Sequence, residues 1–488
     1  MNTGGAAVGG QRIFWTMRKV AAASVVAPAV LAAVPDAAMA HGIGQRADLP
    51  IPLWLFAWGA ALVLVASFVA LAVLWPRPVL AGLPSKALFR VPALLEVLAG
   101  ILGVAAFGVI VWAGLAGNQT ATANLAPTAI FVLVWVGIPF ASVLFGDVFS
   151  AVSPWRAVGR GVGWAAGRIS GGLPSPIPYP ERLGRWPAAF GLLLFAWIEL
   201  VWSGRESPSS LAAVALAYAV VMLVGMSCFG VEKWTRNADA FGVAFGLFAL
   251  LAPLEWSGRR CRLRWPVVGS LKMPEVPGAA AVLVVLIGST SFDGFSQGGV
   301  WTGASGLAQR LTDAFAGIGL SPEAAVQAGY TVGLVLVVAA VAGLYRLAVL
   351  GMARAGGSHP DAERLSLSFA HTLIPIAFAY LVAHYFSLLA FQGQATAFLV
   401  SDPLGNGWDL LGTASATIDY GILSANAIWY VQVAALVLGH VAALVLAHDR
   451  ALATWSDQRT AVRSQYWMLM VMVAFTCLGL WLLSAAAQ

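Results

Sequence analysis

The chain has 488 residues, of which 60% are apolar and only 10% are charged, and its formal net charge is +6. Because a soluble globular domain usually carries about 25% charged residues, this composition excludes a water-soluble globule. The basic residues lie in short segments between apolar runs and not in a stripe with interleaved aromatic residues. This pattern argues against nucleic acid and indicates the lipid bilayer as the partner.

The first forty residues predict a secretory signal peptide. Arg18 and Lys19 lie in a positive segment, residues 20–34 are apolar, and the sequence AAMA at positions 37–40 supplies the small residues that signal peptidase requires. Cleavage leaves His41 as the first mature residue. A free amine and an imidazole on one residue are a candidate copper ligand, and an inert exported terminus is the alternative.

The mature chain contains ten apolar runs that are long enough to cross a hydrocarbon core as helices. They are residues 51–75, 93–117, 128–149, 186–201, 210–230, 278–292, 327–350, 365–391, 427–448 and 466–487. The predicted fold class is therefore an all-α, polytopic transmembrane helix bundle of about ten spans, which forms a single domain over residues 41–488.

An eleventh apolar run, residues 241–256, is ambiguous. If it crossed the membrane, the basic cluster Arg259, Arg260, Arg262 and Arg264 would lie outside, against the rule that short cytoplasmic loops collect Lys and Arg. A re-entrant or interfacial run keeps this cluster inside and places both mature termini outside the plasma membrane. We predict ten spans, with eleven as the alternative.

Two connecting segments differ from the others in composition. Residues 152–185 are rich in Gly, Pro and Arg, which predicts an irregular cytoplasmic surface loop that could touch anionic headgroups. Residues 392–426 carry acidic and Gly residues and predict an outer loop that covers the helix ends.

Histidines within predicted spans are the main chemical signal, because ionisable groups in a bilayer are costly and often mark a site. His371 and His384 are thirteen residues apart on one helix, about 20 Å along its axis, so they cannot chelate one ion together. His371 and His440 come to similar depths on antiparallel helices and could share a zinc or copper ion. Neutral buried imidazoles that form hydrogen bonds are the alternative.

Charged residues near span ends give two further expectations. Glu199 lies within an apolar run and suits a proton or cation path, although it could instead pair with Arg205. His448, Asp449 and Arg450 lie where a span should end, and we interpret them as a solvated helix terminus.

Several segments resemble a family of bacterial membrane proteins catalogued as fenitrothion hydrolase. They are His41-Gly42-Ile43-Gly44 with residues 47–56, His371, Ala383-His384-Tyr385, Ser401-Asp402-Pro403, Gly439-His440 and Ala447-His448. The resemblance covers nearly the whole exported chain and implies hydrolysis of aryl phosphotriesters. It assigns no catalytic residue, and the HxH pair and bridging Lys of the soluble phosphotriesterases are absent from this sequence.

Three functions follow from these patterns. The first, which the resemblance implies, is a metal-assisted hydrolase whose metal is held by His371 and His440, or by His384 and groups of the outer loop, and whose apolar small-molecule substrate arrives through the bilayer. The second is a transporter or copper-handling permease that uses His41, the intramembrane histidines and Glu199. The third is a haem-binding membrane subunit with two axial histidines.

Overall fold

A computed structural model describes residues 53–169, 175–303, 305–356 and 360–486. The predicted signal peptide and His41 lie outside the described residues.

Ten helices of the described chain are long and apolar enough to cross a membrane, which confirms the predicted all-α polytopic bundle and its ten spans. They are α1 (Leu53–Leu74), α2 (Ala93–Ala116), α3 (Leu125–Phe145), α4 (Trp186–Leu200), α5 (Pro208–Phe229), α6 (Ala279–Ser296), α7 (Pro322–Ala355), α8 (Leu373–Gln392), α9 (Ala425–Thr454) and α10 (Tyr466–Ala486). Shorter helices connect them: Val148–Val152, Pro154–Ile169, Val231–Asn237, Ala240–Ala249, Gly299–Thr302, Leu307–Gly317, Ala362–Phe369, Thr396–Ser401 and Gln458–Ser464.

Helices α8 and α9 pack closely against each other, which a site shared by His371 and His440 requires. Gly439 of α9 makes this approach possible, because a Cβ atom there would lie 2.4 Å from the Cβ atom of Ala379. Small residues at such crossings increase the dispersion contact between helices in a membrane, where apolar burial alone supplies little driving force.

A three-stranded antiparallel sheet, which was not predicted, lies at one end of the bundle. Strands β1 (Lys86–Arg90), β2 (Leu254–Ser257) and β3 (Arg260–Leu263) form it in the order β1-β3-β2. We call this end of the molecule the sheet side and the opposite end the loop side.

The sheet and the short helix before it show whether the ambiguous run 241–256 crosses the bundle. β1 follows α1, and β3 follows the short helix Ala240–Ala249, which we call the half-helix. Its ten residues span about 15 Å, half the thickness of a hydrocarbon core, so it cannot cross. Most of its residues are buried among the spans. The chain therefore enters the bundle and returns to the sheet side, as the re-entrant interpretation predicted.

The connection between α3 and α4 differs from the irregular loop predicted for residues 152–185. Its first half is an amphipathic helix, Pro154–Ile169, that lies against α2. Trp155 anchors this helix, because its buried ring packs edge-on against Tyr218 at 5.2 Å and its indole N–H donates to Asp239. Glycines spaced along the helix do not prevent it from forming once one face has partners.

The segment after α8 covers the loop side, as predicted for residues 392–426. It contains the helix Thr396–Ser401 and then runs without regular structure to α9. Leu399 and Leu404 are buried against Ala113 and Leu125, at the ends of α2 and α3. The segment is therefore packed onto the bundle.

Candidate acid–base site

Four polar side chains from three spans meet near the loop-side ends of their helices. Asp293 comes from α6, His384 and Tyr385 from α8, and Glu199 from the end of α4. We call this cluster the Asp293 site. His384 and Glu199 are candidate residues from the sequence, and the structure places both of them in the cluster.

Asp293 is the centre of the hydrogen bonding. Its Oδ2 atom lies 2.7 Å from Nε2 of His384 and accepts from the Tyr385 hydroxyl at 2.9 Å. Its Oδ1 atom accepts from Gln297 at 3.2 Å. The carboxylate thus fixes the imidazole through one ring nitrogen. The other nitrogen, Nδ1, faces Gly294, where a Cβ atom would lie 3.7 Å away.

Tyr385 links the two carboxylates of the site. Its hydroxyl lies 2.9 Å from Asp293 Oδ2 and 3.5 Å from Glu199 Oε1. A phenol has one proton to donate, so both contacts are hydrogen bonds only when Glu199 carries a proton of its own. The geometry therefore suits a site that holds an exchangeable proton between two acids.

The site is half-buried, and no Lys or Arg of the described residues forms an ion pair with its carboxylates within 4.0 Å. The side chains of Asp293 and His384 are 15% and 17% exposed, which leaves a route for water or a small solute. Arg205, the predicted partner of Glu199, donates instead to the Glu199 backbone carbonyl at 3.2 Å. The Glu199 carboxylate therefore forms no ion pair with Arg205 within 4.0 Å.

The α3 helix is distorted beside the site. Residues Thr128–Gly137 form a π-helix, a rare conformation that often occurs at functional positions. Pro139, which lacks a backbone N–H, follows this stretch and removes a normal helical hydrogen bond. Within the π-helix, Trp135 is 2% exposed and lies near the Tyr385 hydroxyl, but its buried indole N–H forms no hydrogen bond with that hydroxyl or with any other described residue.

Aromatic rings separate the Asp293 site from the sheet side. Trp135 packs against Phe195 with ring centroids 4.8 Å apart, and Phe195 packs against Phe241 at 5.0 Å. Phe245 completes the group, 5.8 Å from Phe241 and 6.4 Å from Trp135. We call Trp135, Phe195, Phe241 and Phe245 the aromatic cluster. Two of its members belong to the half-helix.

Beyond the aromatic cluster lies another buried carboxylate. Asp239 accepts from the Tyr218 hydroxyl at 2.8 Å and from the Trp155 indole at 2.7 Å, and it caps the half-helix through the Gly242 N–H. Burial raises the pKa of Asp239 despite these hydrogen bonds. Tyr218 also packs on Phe241 at 5.4 Å, so Asp239 is in contact with the far side of the aromatic cluster.

Asp239 lines a cavity of 910 Å³ on the sheet side, which we call the basic cavity. It lies between α2, the helix Pro154–Ile169, the start of α4 and the half-helix. Six basic and four acidic side chains line it: Arg156, Arg160, Arg185, Arg236, Arg259, Lys272, Glu96, Asp147, Glu232 and Asp239. The sequence placed many of these residues in cytoplasmic loops but did not show that they enclose one space.

His371 and His440 lie apart from the Asp293 site. Nδ1 of His371 bonds to the Ser368 carbonyl at 2.8 Å, and Nδ1 of His440 bonds to the Leu436 carbonyl at 2.7 Å. Both Nε2 atoms are buried without a hydrogen-bond partner. Each ring is thus oriented as metal-ligating imidazoles usually are. Across the described residues, however, no three His, Cys, Asp or Glu side chains group as a metal site.

His448 and Asp449 do not form the solvated terminus that the sequence predicted. Helix α9 continues to Thr454, and both side chains are buried. Asp449 accepts from the Trp75 indole at 3.1 Å and from two backbone N–H groups after α1, and His448 lies 3.1 Å from the Trp75 carbonyl. The pair ties the end of α1 to α9, which explains its burial.

No family model matches this chain, and no curated protein or solved structure shows significant similarity to it. The site must therefore be interpreted from its own geometry.

Proposed function

We propose that the chain is a multi-pass protein of a bacterial plasma membrane with its sheet side in the cytoplasm and its mature amino terminus outside. The support is the distribution of basic residues. The described loop-side connections between spans contain only Arg205 and Arg310 as basic residues, whereas the other connections hold the basic cavity and the sheet. Short cytoplasmic loops collect Lys and Arg in this way.

We further propose that the protein is a proton-coupled transporter. One arrangement carries this proposal: the Asp293 site and the basic cavity approach the aromatic cluster from opposite sides of the membrane. Sites of transporters lie near the bilayer centre, between discontinuous helices and a barrier that opens to one side at a time. The half-helix and the π-helix of α3 are the discontinuous elements here, and both contribute rings to the barrier.

The proton would bind at the Asp293 site. The imidazole of His384 is the proton acceptor in this proposal, because Asp293 holds its Nε2 and would stabilise the charged ring. Tyr385 then connects this charge to Glu199. Because Trp135 lies near the Tyr385 hydroxyl and packs in the aromatic cluster, a change of protonation at the site would be felt next to the barrier.

Proteoliposomes with an internal pH-sensitive dye test this proposal. A panel of amines, carboxylates and phosphate esters is added outside, and we expect at least one to acidify the lumen with the wild type. Asp293→Asn and His384→Gln should abolish this acidification. Asp313→Asn should retain it, because Asp313 is an exposed carboxylate that accepts from Gln309 and lies outside the Asp293 site.

The panel includes the inorganic ions Zn²⁺ and Cu⁺, because a metal permease is the variant of this function that His41 and the intramembrane histidines suggested. Wild-type vesicles that show no solute-dependent proton movement would contradict proton-coupled transport.

A hydrolase of aryl phosphotriesters is the second candidate. The observation that favours it is the orientation of His384, whose Nε2 is held by Asp293 while Nδ1 remains free to take a proton from water. Apolar triesters partition into the bilayer and could reach the half-buried site laterally. Nitrophenol release by purified protein, lost in His384→Gln, would support this function over transport.

Metal and haem analyses of the same preparation separate the remaining alternatives. Stoichiometric zinc or copper that is lost in His440→Ala would support a metal-assisted reaction near His371 and His440. A Soret band in the absorption spectrum would instead favour the haem-binding subunit.

A further inference from the structure

The basic cavity contains more positive charge than its own carboxylates neutralise. Glu232 binds Arg156 at 3.0 Å and Arg160 at 2.8 Å, and Glu96 binds Arg160 at 2.6 Å. These two acids are therefore occupied by two arginines. A third basic residue, Lys272, pairs with Glu255 outside the cavity wall.

The other two acids of the cavity are engaged by backbone and side-chain donors. Asp147 caps the helix Val148–Val152 through the Ser150 N–H at 3.0 Å, and Asp239 caps the half-helix. Burial raises the pKa of both carboxyls. Neither forms an ion pair with the remaining arginines within 4.0 Å, so Arg185, Arg236 and Arg259 have no carboxylate partner among the described residues.

Arg185 is the least satisfied of these three cations. Its Nε and Nη1 atoms are buried and have no hydrogen-bond partner. A guanidinium normally uses its five N–H groups, and leaving buried ones unpaired is expensive. Arg185 also lies at the N-cap position of α4, so the free N–H groups of the first helical turn add to the positive potential beside it.

One wall of the cavity is apolar and exposed. Leu95 is 52% exposed, Phe145 is 57% exposed and Trp256 is 37% exposed, and all three line the cavity together with its arginines. The cavity lies at the sheet-side end of the bundle, where the apolar surfaces of the spans give way to charged connections. It therefore offers a cationic interior beside an apolar edge.

We propose that the basic cavity binds the phosphate group of an anionic amphiphile, with Arg185 as the principal ligand and Arg236 and Arg259 as further cationic contacts. Planar guanidinium groups match phosphate oxygens in two-point hydrogen bonds. The exposed apolar wall would contact the hydrocarbon part of the same molecule. This inference does not rest on proton-coupled transport, because its ligands belong neither to the Asp293 site nor to the aromatic cluster.

The test is a binding titration of purified full-length protein in a non-ionic detergent. The probes are dioctanoyl phosphatidylglycerol, the zwitterionic dioctanoyl phosphatidylcholine and inorganic phosphate. We expect phosphatidylglycerol to bind more tightly than phosphatidylcholine. Arg185→Gln should weaken this binding about tenfold or more, because hydrogen bonds to a charged partner are lost.

Arg182→Gln is the matched control, because Arg182 is exposed three residues earlier and does not line the cavity. It should bind as the wild type does. Arg185→Lys keeps the positive charge but loses the planar guanidinium group, so it should bind phosphatidylglycerol with intermediate affinity. If Arg185→Gln does not fold, the double variant of Arg236→Gln and Arg259→Gln replaces it and should also weaken binding.

The outcomes separate the two sources of phosphate. Inorganic phosphate that binds as tightly as phosphatidylglycerol, and depends on Arg185, would support the phosphate site but assign it to a free anion. Failure of both phosphate probes to bind, or binding that none of the cavity arginine variants weakens, would overturn the proposal. A failure here would leave the proton measurements at the Asp293 site unaffected.

Discussion

The Asp293 site and the basic cavity use similar residue types in opposite ways. At the Asp293 site, two carboxylates, one imidazole and one phenol share a few short contacts within the apolar bundle. In the basic cavity, ten charged side chains line 910 Å³ of open space, and several of them pair across exposed surface. The comparison shows that solvation, more than residue type, decides what a charged side chain can do.

This difference in solvation determines how strongly the charged side chains of each region interact. An ion pair that is largely exposed is screened by water and salt and contributes little to stability. A pair held at low dielectric interacts strongly, and each partner becomes costly to leave alone. We expect the aromatic cluster to maintain this difference, because its packed rings lie between the basic cavity and the Asp293 site.

The largest expected effect comes from removing the barrier between the two regions. Phe245 is fully buried within the half-helix, and Phe245→Ala should destabilise the protein by about 3–5 kcal/mol through lost packing and the cavity left behind. Thermal unfolding of detergent-purified protein measures this loss. In proteoliposomes, the same variant should also leak protons faster than the wild type.

Phe190→Ala is the control for this substitution, because Phe190 lies in α4 and is 68% exposed on the outside of the bundle. It should unfold at nearly the same temperature as the wild type, and its proteoliposomes should leak protons no faster. Equal behaviour of the two variants would show that the aromatic cluster is not a barrier.

The second prediction compares ion pairs in the two regions. A double-mutant cycle with Asp293→Ala and His384→Ala should give a coupling free energy of about 2 kcal/mol, because the pair is half-buried and charge-assisted. The same cycle with Glu96→Ala and Arg160→Ala should give less than about 1 kcal/mol, since both side chains are more than 40% exposed. Unfolding midpoints of the single and double variants supply both values.

Salt should change the two coupling free energies by different amounts. Raising the ionic strength should reduce the Glu96–Arg160 coupling toward zero and change the Asp293–His384 coupling little. A coupling at the Asp293 site that also disappears in high salt would mean that the site is as solvated as the cavity.

The spans were predictable because a membrane demands long, apolar helices, and that signal is local in the sequence. The hairpin of β2 and β3 had a local signal too, since Gly258 lies in its two-residue turn with φ +56°. The apolar run before it obscured that signal. The sheet itself depends on β1, which is far away in sequence.

The Asp293 site could be predicted only in part. His384 and Glu199 were selected because each lies in an apolar run, and Asp293 was recognisable as a carboxylate near a span end. Which spans are neighbours is decided by packing over long sequence distances, so the Asp293–His384 pair was not visible. The burial of Asp449 was missed for the same reason, because its donors follow α1, about 370 residues earlier.

The smallest expected effect concerns Glu232 at the edge of the basic cavity. Burial alone would raise the pKa of Glu232, but hydrogen bonds and charge from Arg156 and Arg160 outweigh it and lower the pKa below 4.5. A carboxyl whose folded pKa is lowered stabilises the protein above its unfolded pKa, and this contribution is lost as the pH falls through the folded pKa.

Thermal unfolding of the wild type and Glu232→Gln between pH 6 and pH 3 tests this. The wild type should unfold at a slightly higher temperature above about pH 4.5, and the difference should shrink as the pH falls through the lowered pKa of Glu232. Burial raises the pKa values of Asp147 and Asp239, so their effect on stability depends on pH in the opposite sense. Both residues are present in the wild type and in Glu232→Gln, so their contributions cancel when the two unfolding temperatures are subtracted. A difference that grows as the pH falls would mean that burial dominates the pKa of Glu232 and that Arg156 and Arg160 do not lower it.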